Sequence, residues 1–313
     1  MESSMSNYEK YISIILMLLM IPLLNKGCKT EDLSVGWEIK ADTLVFYSDE
    51  GVASWCADVK AREDSANCTT VVFLDAVTTI SEGMFKNHSY VSTLTLGKNL
   101  RTIEDNAFRS CTSLTSVNWS EQVESIGNSA FENTGLVLLE LPNNLKSIGD
   151  FAFSKCEKLT SCILPDSVTD MGCNFTDCPV LSTVKLPRGL TLLEDYSFSG
   201  CTSLQEVFVP ASVKIVGYDA FSESGIVRLI FEGELHEIRS LRTSNMPALQ
   251  AIVFLNYPPR QVEAEDTKFG LMNNTDSDAC VYYLSEFSEY FPNSDGKWNG
   301  FVIKELHSID DLP

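Results

Sequence analysis

Phenylalanine recurs through the middle of this chain at Phe85, Phe108, Phe131, Phe153, Phe175, Phe198 and Phe221, in steps of 22 or 23 residues. Neither a helix nor a strand has such a period, so each step is one complete unit of a repeat array. The aliphatic residues keep their places within the unit. One stands five residues before most of the phenylalanines, at Ile80, Ile103, Ile126, Ile148, Leu193 and Val216, with Met171 four before Phe175. Another follows five or six residues after, and from it the unit runs aliphatic, two residues, aliphatic, one residue, aliphatic. Leu159, Cys162, Leu164 and Leu181, Val184, Leu186 show the pattern, and its alternation predicts a short strand.

One strand and one return segment cannot bury an apolar side alone, so successive units must stack around a shared core. The expected fold is an α/β repeat solenoid of about eight coils over residues 71–255, capped by residues 28–70 and 256–313. Neighbouring strands would pair in parallel, roughly 4.8 Å apart, as one long inner sheet. The return segment, Ile103 to Phe108 for instance, is too short for a full helix and predicts a turn of α or 3₁₀ helix, its Phe stacked on the next.

Units such as LELPNNLKSIGDFAFSKCEKL and VKLPRGLTLLEDYSFSGCTSL carry Leu-Pro after the strand, Ile-Gly before Ala-Phe, and Cys three residues past Phe. In this they resemble the BspA-like leucine-rich repeats of bacterial surface proteins, from about Val71 to Phe254. Trp37 to Trp55 resembles the hairpin that opens such arrays, and Cys280 to Phe301 the segment that closes them. Two places depart from the pattern: the fifth unit reads MGCNF, and no Phe stands at the expected place after Ile226. The resemblance implies surface display and binding of proteins on a host or neighbouring cell, with glycan capture or scaffolding in nutrient uptake as the alternative.

Tyr11 to Leu24 is an apolar run of fourteen residues. As a helix it would span roughly 21 Å, short of a hydrocarbon core of ~30 Å, so residues 1–27 read as a secretory signal rather than a membrane span. Gly27-Cys28 resembles a lipoprotein cleavage site, with Asn25 where Leu is usual, so either Cys28 is lipidated or the chain is simply secreted with cleavage nearby. The expected place is the cell surface or outer membrane, touching the bilayer only through Cys28, and the expected state is a monomer. Residues 1–27 hold two basic and two acidic residues, so the net charge of −20 survives their removal. Phosphate binding needs clustered Lys and Arg, so nucleic acid is not an expected partner.

No catalytic motif, phosphate loop or cofactor fingerprint is present, and no cofactor is expected. His88 falls in the repeat's Cys slot, while His236 and His307 read as exposed. The acidic pairs Glu104-Asp105 and Glu194-Asp195 recur in one return-segment slot and read as a solvated face. Cys111, Cys156, Cys178 and Cys201 share a slot, which predicts a column of small buried side chains. Stacked positions lie in a line, whereas a zinc site needs converging ligands, so no metal site is expected. In an exported chain Cys56 and Cys68 are the best candidates for a disulfide.

Binding should use the strand positions between the second and third aliphatic residues: Thr95, Asn118, Glu140, Ile163, Lys185, Phe208, Ile230 and Val253. They alternate with the buried residues and would face solvent on the concave side. The column starts polar and ends in Phe208, Ile230 and Val253. These three, with Ile163 and Lys185, are the expected protein-binding residues, unless the closing segment packs over them.

Overall fold

The computed structural model describes residues 36–241, 245–257, 279–291, 297–298 and 301–311. The expected signal segment and Cys28 lie outside them. A hairpin opens the stack, with Trp37–Lys40 antiparallel to Thr43–Phe46. Helix α1 (Asp49–Ala57) follows, its first turn capped by Ser48, whose side chain accepts the Gly51 N–H. In helix α2 (Val59–Asp64) the Asp58 carboxylate accepts from the Lys60 and Ala61 N–H groups. Trp55 of α1 is fully buried, donates through its indole N–H to Ser65 Oγ at 3.2 Å, and stacks on Phe85 at 5.1 Å.

From Thr43–Phe46 onward parallel strands follow coil by coil to Phe301–Leu306, and the solenoid makes about ten turns. The eight coils legible in the sequence are therefore extended by the opening hairpin and by the closing segment. Cys280–Leu284 pairs in parallel with Ala251–Phe254, and Phe301–Leu306 with Cys280–Leu284. The inner ladder is not one uninterrupted sheet: pairing breaks between Ser116–Asn118 and Leu138–Glu140, and again between Thr183–Lys185 and Glu206–Val209.

The return segment differs from the expected helical turn. Ile103, Ile126, Ile148 and Met171 sit in two-residue strands that pair in parallel as a second ladder. After each of the three isoleucines comes a tight turn with two left-handed residues flanking the phenylalanine, as Asn106 (φ 57°) and Ser110 (φ 61°) flank Phe108, while the turn after Met171 keeps only the second, Asp177. Such a backbone aims alternate N–H groups to one side. Asn106, Phe108 and Ser110 donate to the carbonyls of Asn128, Ala130 and Glu132, each at 2.8 Å. Ser129, Phe131 and Asn133 then donate to Asp150, Ala152 and Ser154. A helix would spend these donors inside its own turn; the flat turn gives them to the next coil.

The rings are consequently brought into register. From Phe85 to Phe221 successive centroids are 5.3 to 6.0 Å apart with planes within 2 to 16° of parallel. Trp55 begins this column, and past Phe221 the aromatic stack moves into the strands, where Phe231 lies 5.3 Å from Phe254. That transfer accounts for the missing Phe after Ile226. In the MGCNF coil Asn174 replaces the small residue before Phe and is fully buried. Its Oδ1 accepts the Ala152 N–H and its Nδ2 donates to the Gly172 carbonyl.

The Ile-Gly motif has an equally local cause. Asp105 Oδ1 accepts the Asn128 N–H at 2.7 Å, and Asn128 Oδ1 accepts the Asp150 N–H at 2.7 Å. A Cβ on Gly149 would come within 2.5 Å of Asn128 Oδ1, so the inter-coil bond and a side chain there exclude each other.

Phe131→Ala should lower stability by roughly 3–5 kcal/mol. Urea denaturation followed by circular dichroism measures it, and a loss below about 1 kcal/mol would mean that the ring column does not hold the coils.

Candidate functional site

The long-strand face is built in rows by the parallel register. One row runs Leu138, Ser161, Thr183 and another Glu140, Ile163, Lys185. Further along come Glu206 beside Arg228, paired at 2.6 Å, and Phe208 beside Ile230, Val253 and Tyr282. At the other end Asn118 Nδ2 donates to Thr95 Oγ1 at 3.3 Å, so that end is polar and internally paired.

Of the five expected binding residues, Ile163, Lys185 and Phe208 are exposed, Ile163 by 46% and Phe208 by 44%. Ile230 and Val253 are not: they are 1% and 0% exposed, in a satellite core with Ala251, Tyr282 and Leu306. The reason is positional. The closing segment adds three more strands to this sheet, so Val253 lies inside it, and Tyr282 and Leu306 of the added strands pack with Ile230 and Val253. Arg228–Phe231 and Ala251–Phe254 are correspondingly apolar over consecutive residues, the pattern of strands covered on both faces.

The exposed apolar residues that remain on the middle strands are Leu138, Ile163 and Phe208, with Leu138 the most open at 61%, and Val302 is exposed on the closing strand. Leu138 escaped the sequence reading because it precedes the second aliphatic position. Its signal was there: the equivalent residue is Thr93, Ser116, Ser161 or Thr183 in other coils. Glu140 and Lys185 lie on either side of Ile163 in one row, and neither is in an ion pair among the described residues. The result is an apolar centre with one carboxylate and one ammonium beside it, on a hydrogen-bonded backbone.

The cysteine column is buried as expected, and each thiol has a partner. Sγ of Cys111, Cys156, Cys178 and Cys201 donates to the carbonyls of Phe85, Phe131, Phe153 and Phe175, at 3.0 to 3.4 Å. Burial pushes the Cys156 thiol up to about 11 and those of Cys111 and Cys201 up to about 12, and raises Cys162 and Cys178 further. Protons held this firmly leave little thiolate to act as a nucleophile at neutral pH. Cys56 and Cys68, the expected disulfide, are both free thiols, one on α1 and the other just beyond α2. His88 fills the Cys slot between Trp55 and Phe85, and His236 and His307 are exposed.

The paired carboxylates do not simply face solvent. Glu104 and Asp105 help line a groove of about 550 Å³ along the short strands, with Glu82 and Asp170. Asp105 and Asp195 are engaged as acceptors of the next coil's N–H groups.

At pH 8 Ellman's reagent should leave Cys111, Cys156, Cys162, Cys178 and Cys201 unmodified in the folded chain and titrate all five in guanidinium chloride. Mass spectrometry of the labelled peptides distinguishes these thiols from Cys56 and Cys173.

The family described as BspA type leucine rich repeat region matches the sequence in six copies, over residues 60–174 and 125–250. No curated protein matches the chain. Among solved structures the chain is similar to a leucine-rich repeat protein from Bacteroides ovatus, with 25% identity and a TM-score of 0.58, over 76% of this chain and 61% of that one. It thus spans less than two thirds of that protein's length. A leucine-rich repeat protein of T. pallidum shows 23% identity and a TM-score of 0.47, over 62% of this chain and 88% of that one. A leucine rich cell surface protein from Faecalibacterium prausnitzii shows 18% identity and a TM-score of 0.30, over 88% and 93%.

Proposed function

The chain belongs to the BspA-type leucine-rich repeat family, and on that premise we propose that it is a non-catalytic cell-surface protein whose long-strand face binds a protein on a host or neighbouring cell. The observation that carries this reading is the exposed group Leu138, Ile163 and Phe208 on strands whose backbone is already fixed, the first two in one sheet and Phe208 in the next. Exposed apolar surface marks interaction sites; here Leu138 and Ile163 lie on paired strands, and the strand of Lys185 stands between Ile163 and Phe208. A preformed surface loses little ordering entropy on binding, so a modest contact area suffices. Glu140 and Lys185 beside the apolar centre would set orientation, because rim charges govern specificity more than affinity. Protein is favoured over glycan here because sugar stacking needs flat aromatic platforms and Phe208 is the exposed aromatic of this group.

The anchor is part of the proposal: residues 1–27 are removed, Cys28 is lipidated, and the solenoid is held at the cell surface by that chain. Labelling of cells with an alkyne fatty acid should mark the wild-type protein and not the C28S variant. Label on both would mean that the lipid is elsewhere.

The binding face is tested with L138S/I163S/F208S against a panel of purified extracellular matrix proteins in surface plasmon resonance. Captured partners should bind the variant more weakly by roughly 2–4 kcal/mol, the scale of a small cluster of anchor residues, with the melting temperature held. Equal affinity for every captured partner would remove this face from the binding reaction.

A further inference from the structure

Away from the long strands, the turns carry an aromatic stripe that packing does not require. The residue two before each column phenylalanine except Phe175 is left-handed, and in most coils it is Gly83, Asn106, Ser129 or Asp219, all suited to that backbone. In two coils it is Phe151 or Tyr196, each at φ 58°, where a bulky side chain is disfavoured. Neither ring is spent on the core, since Phe151 is 44% and Tyr196 48% exposed. Tyr218, 40% exposed, joins them in the coil after Tyr196, whose N–H donates to the Tyr218 carbonyl at 2.9 Å.

Each of these rings has a carboxylate next to it in the chain: Asp150-Phe151, Asp195-Tyr196 and Tyr218-Asp219. Between the first two coils lies the irregular one, Asp170–Met171 followed by Gly172 and Cys173, and across it Glu194 meets Asp150, Asp170 and Asp195. Burial, then these three carboxylates, raise the Glu194 carboxyl above its ordinary range, with Arg239 alone opposing them. The groove along the short strands ends at the same place, at Asp170.

We propose that this turn edge is a second binding surface, taking an extended lysine- or arginine-rich segment of a partner protein across Phe151, Tyr196 and Tyr218. Ring faces and carboxylates both attract a cation, and their alternation suits side chains that are apolar along the stem and charged at the tip. Phe151 and Tyr196 are two coils apart, roughly twice the 4.8 Å spacing of paired strands, a distance that an extended peptide covers in about three residues. Crowded carboxylates want counter-charge, which a neutral glycan does not bring.

The test is fluorescence anisotropy of labelled decalysine with the full chain at about 0.15 M salt, where distant surface charge is screened beyond ~8 Å. The variant F151N/Y196N/Y218N keeps the net charge and puts Asn, at ease in the left-handed region, at the two strained positions. We expect decalysine affinity to fall roughly tenfold with the melting temperature unchanged or raised. F151N alone, with a fall of about twofold, serves if the triple variant fails to fold. Unchanged affinity would reduce the interaction to bulk charge and overturn the proposal. Binding of cellohexaose by the wild type, lost in the variant while decalysine binding persists, would overturn it in favour of a sugar platform. L138S/I163S/F208S should bind decalysine as the wild type does, whatever becomes of the long-strand face. A loss there would move the cation site to that face and overturn the assignment.

Discussion

The stack depends on a turn that can lie flat on its neighbour. In most coils two left-handed residues, each disfavoured by on the order of 1–2 kcal/mol in an L-residue, turn two or three N–H groups toward the next coil and set the phenylalanine between them. The cost is offset by these inter-coil bonds and a ring with no exposure. The other regular features accommodate that choice. Small residues precede the ring, a thiol or hydroxyl follows it to satisfy a phenylalanine carbonyl, and glycine sits where an Asp or Asn of the preceding coil crosses.

Because the interior slots are set by stacking, the surface slots vary freely from coil to coil. Leu138, Ile163 and Phe208 occupy strand positions that are polar elsewhere, while Phe151 and Tyr196 occupy turn positions held by small residues elsewhere. The chain places these two groups on different parts of its surface without altering the core beneath either. The net charge of −20 is likewise a property of the slots that face water.

Most of the fold was legible because burial repeats. A ring at every 22 or 23 residues, with an aliphatic residue five before it, has no other economical explanation. The second ladder was not legible, since two residues such as Thr102–Ile103 are too few to show alternation. The left-handed turns were hidden for a related reason: their slots hold Asn, Ser, Lys, Asp, Phe and Tyr, and no composition rule unites these. The exposed long-strand face was half legible. Alternation put Ile163, Lys185 and Phe208 in solvent, where they are, but it was carried too far, to Ile230 and Val253. There the uninterrupted apolar runs LIF and AIVF already signalled cover on both sides.

The turn donors all face the following coil, so the solenoid is directional in a chemical sense as well as in sequence. Along the turn edge a coil offers acceptors to the one before it and donors to the one after, while along the short strands N–H groups also run back to the preceding coil. On that edge two like ends do not match about a two-fold axis, because donors would meet donors; unlike ends do, and such head-to-tail contact has no natural stopping point. An uncovered array of this kind is therefore a fibre waiting for its next subunit. The opening hairpin and α1, with Trp55 laid on Phe85, occupy the acceptor end and keep the molecule finite.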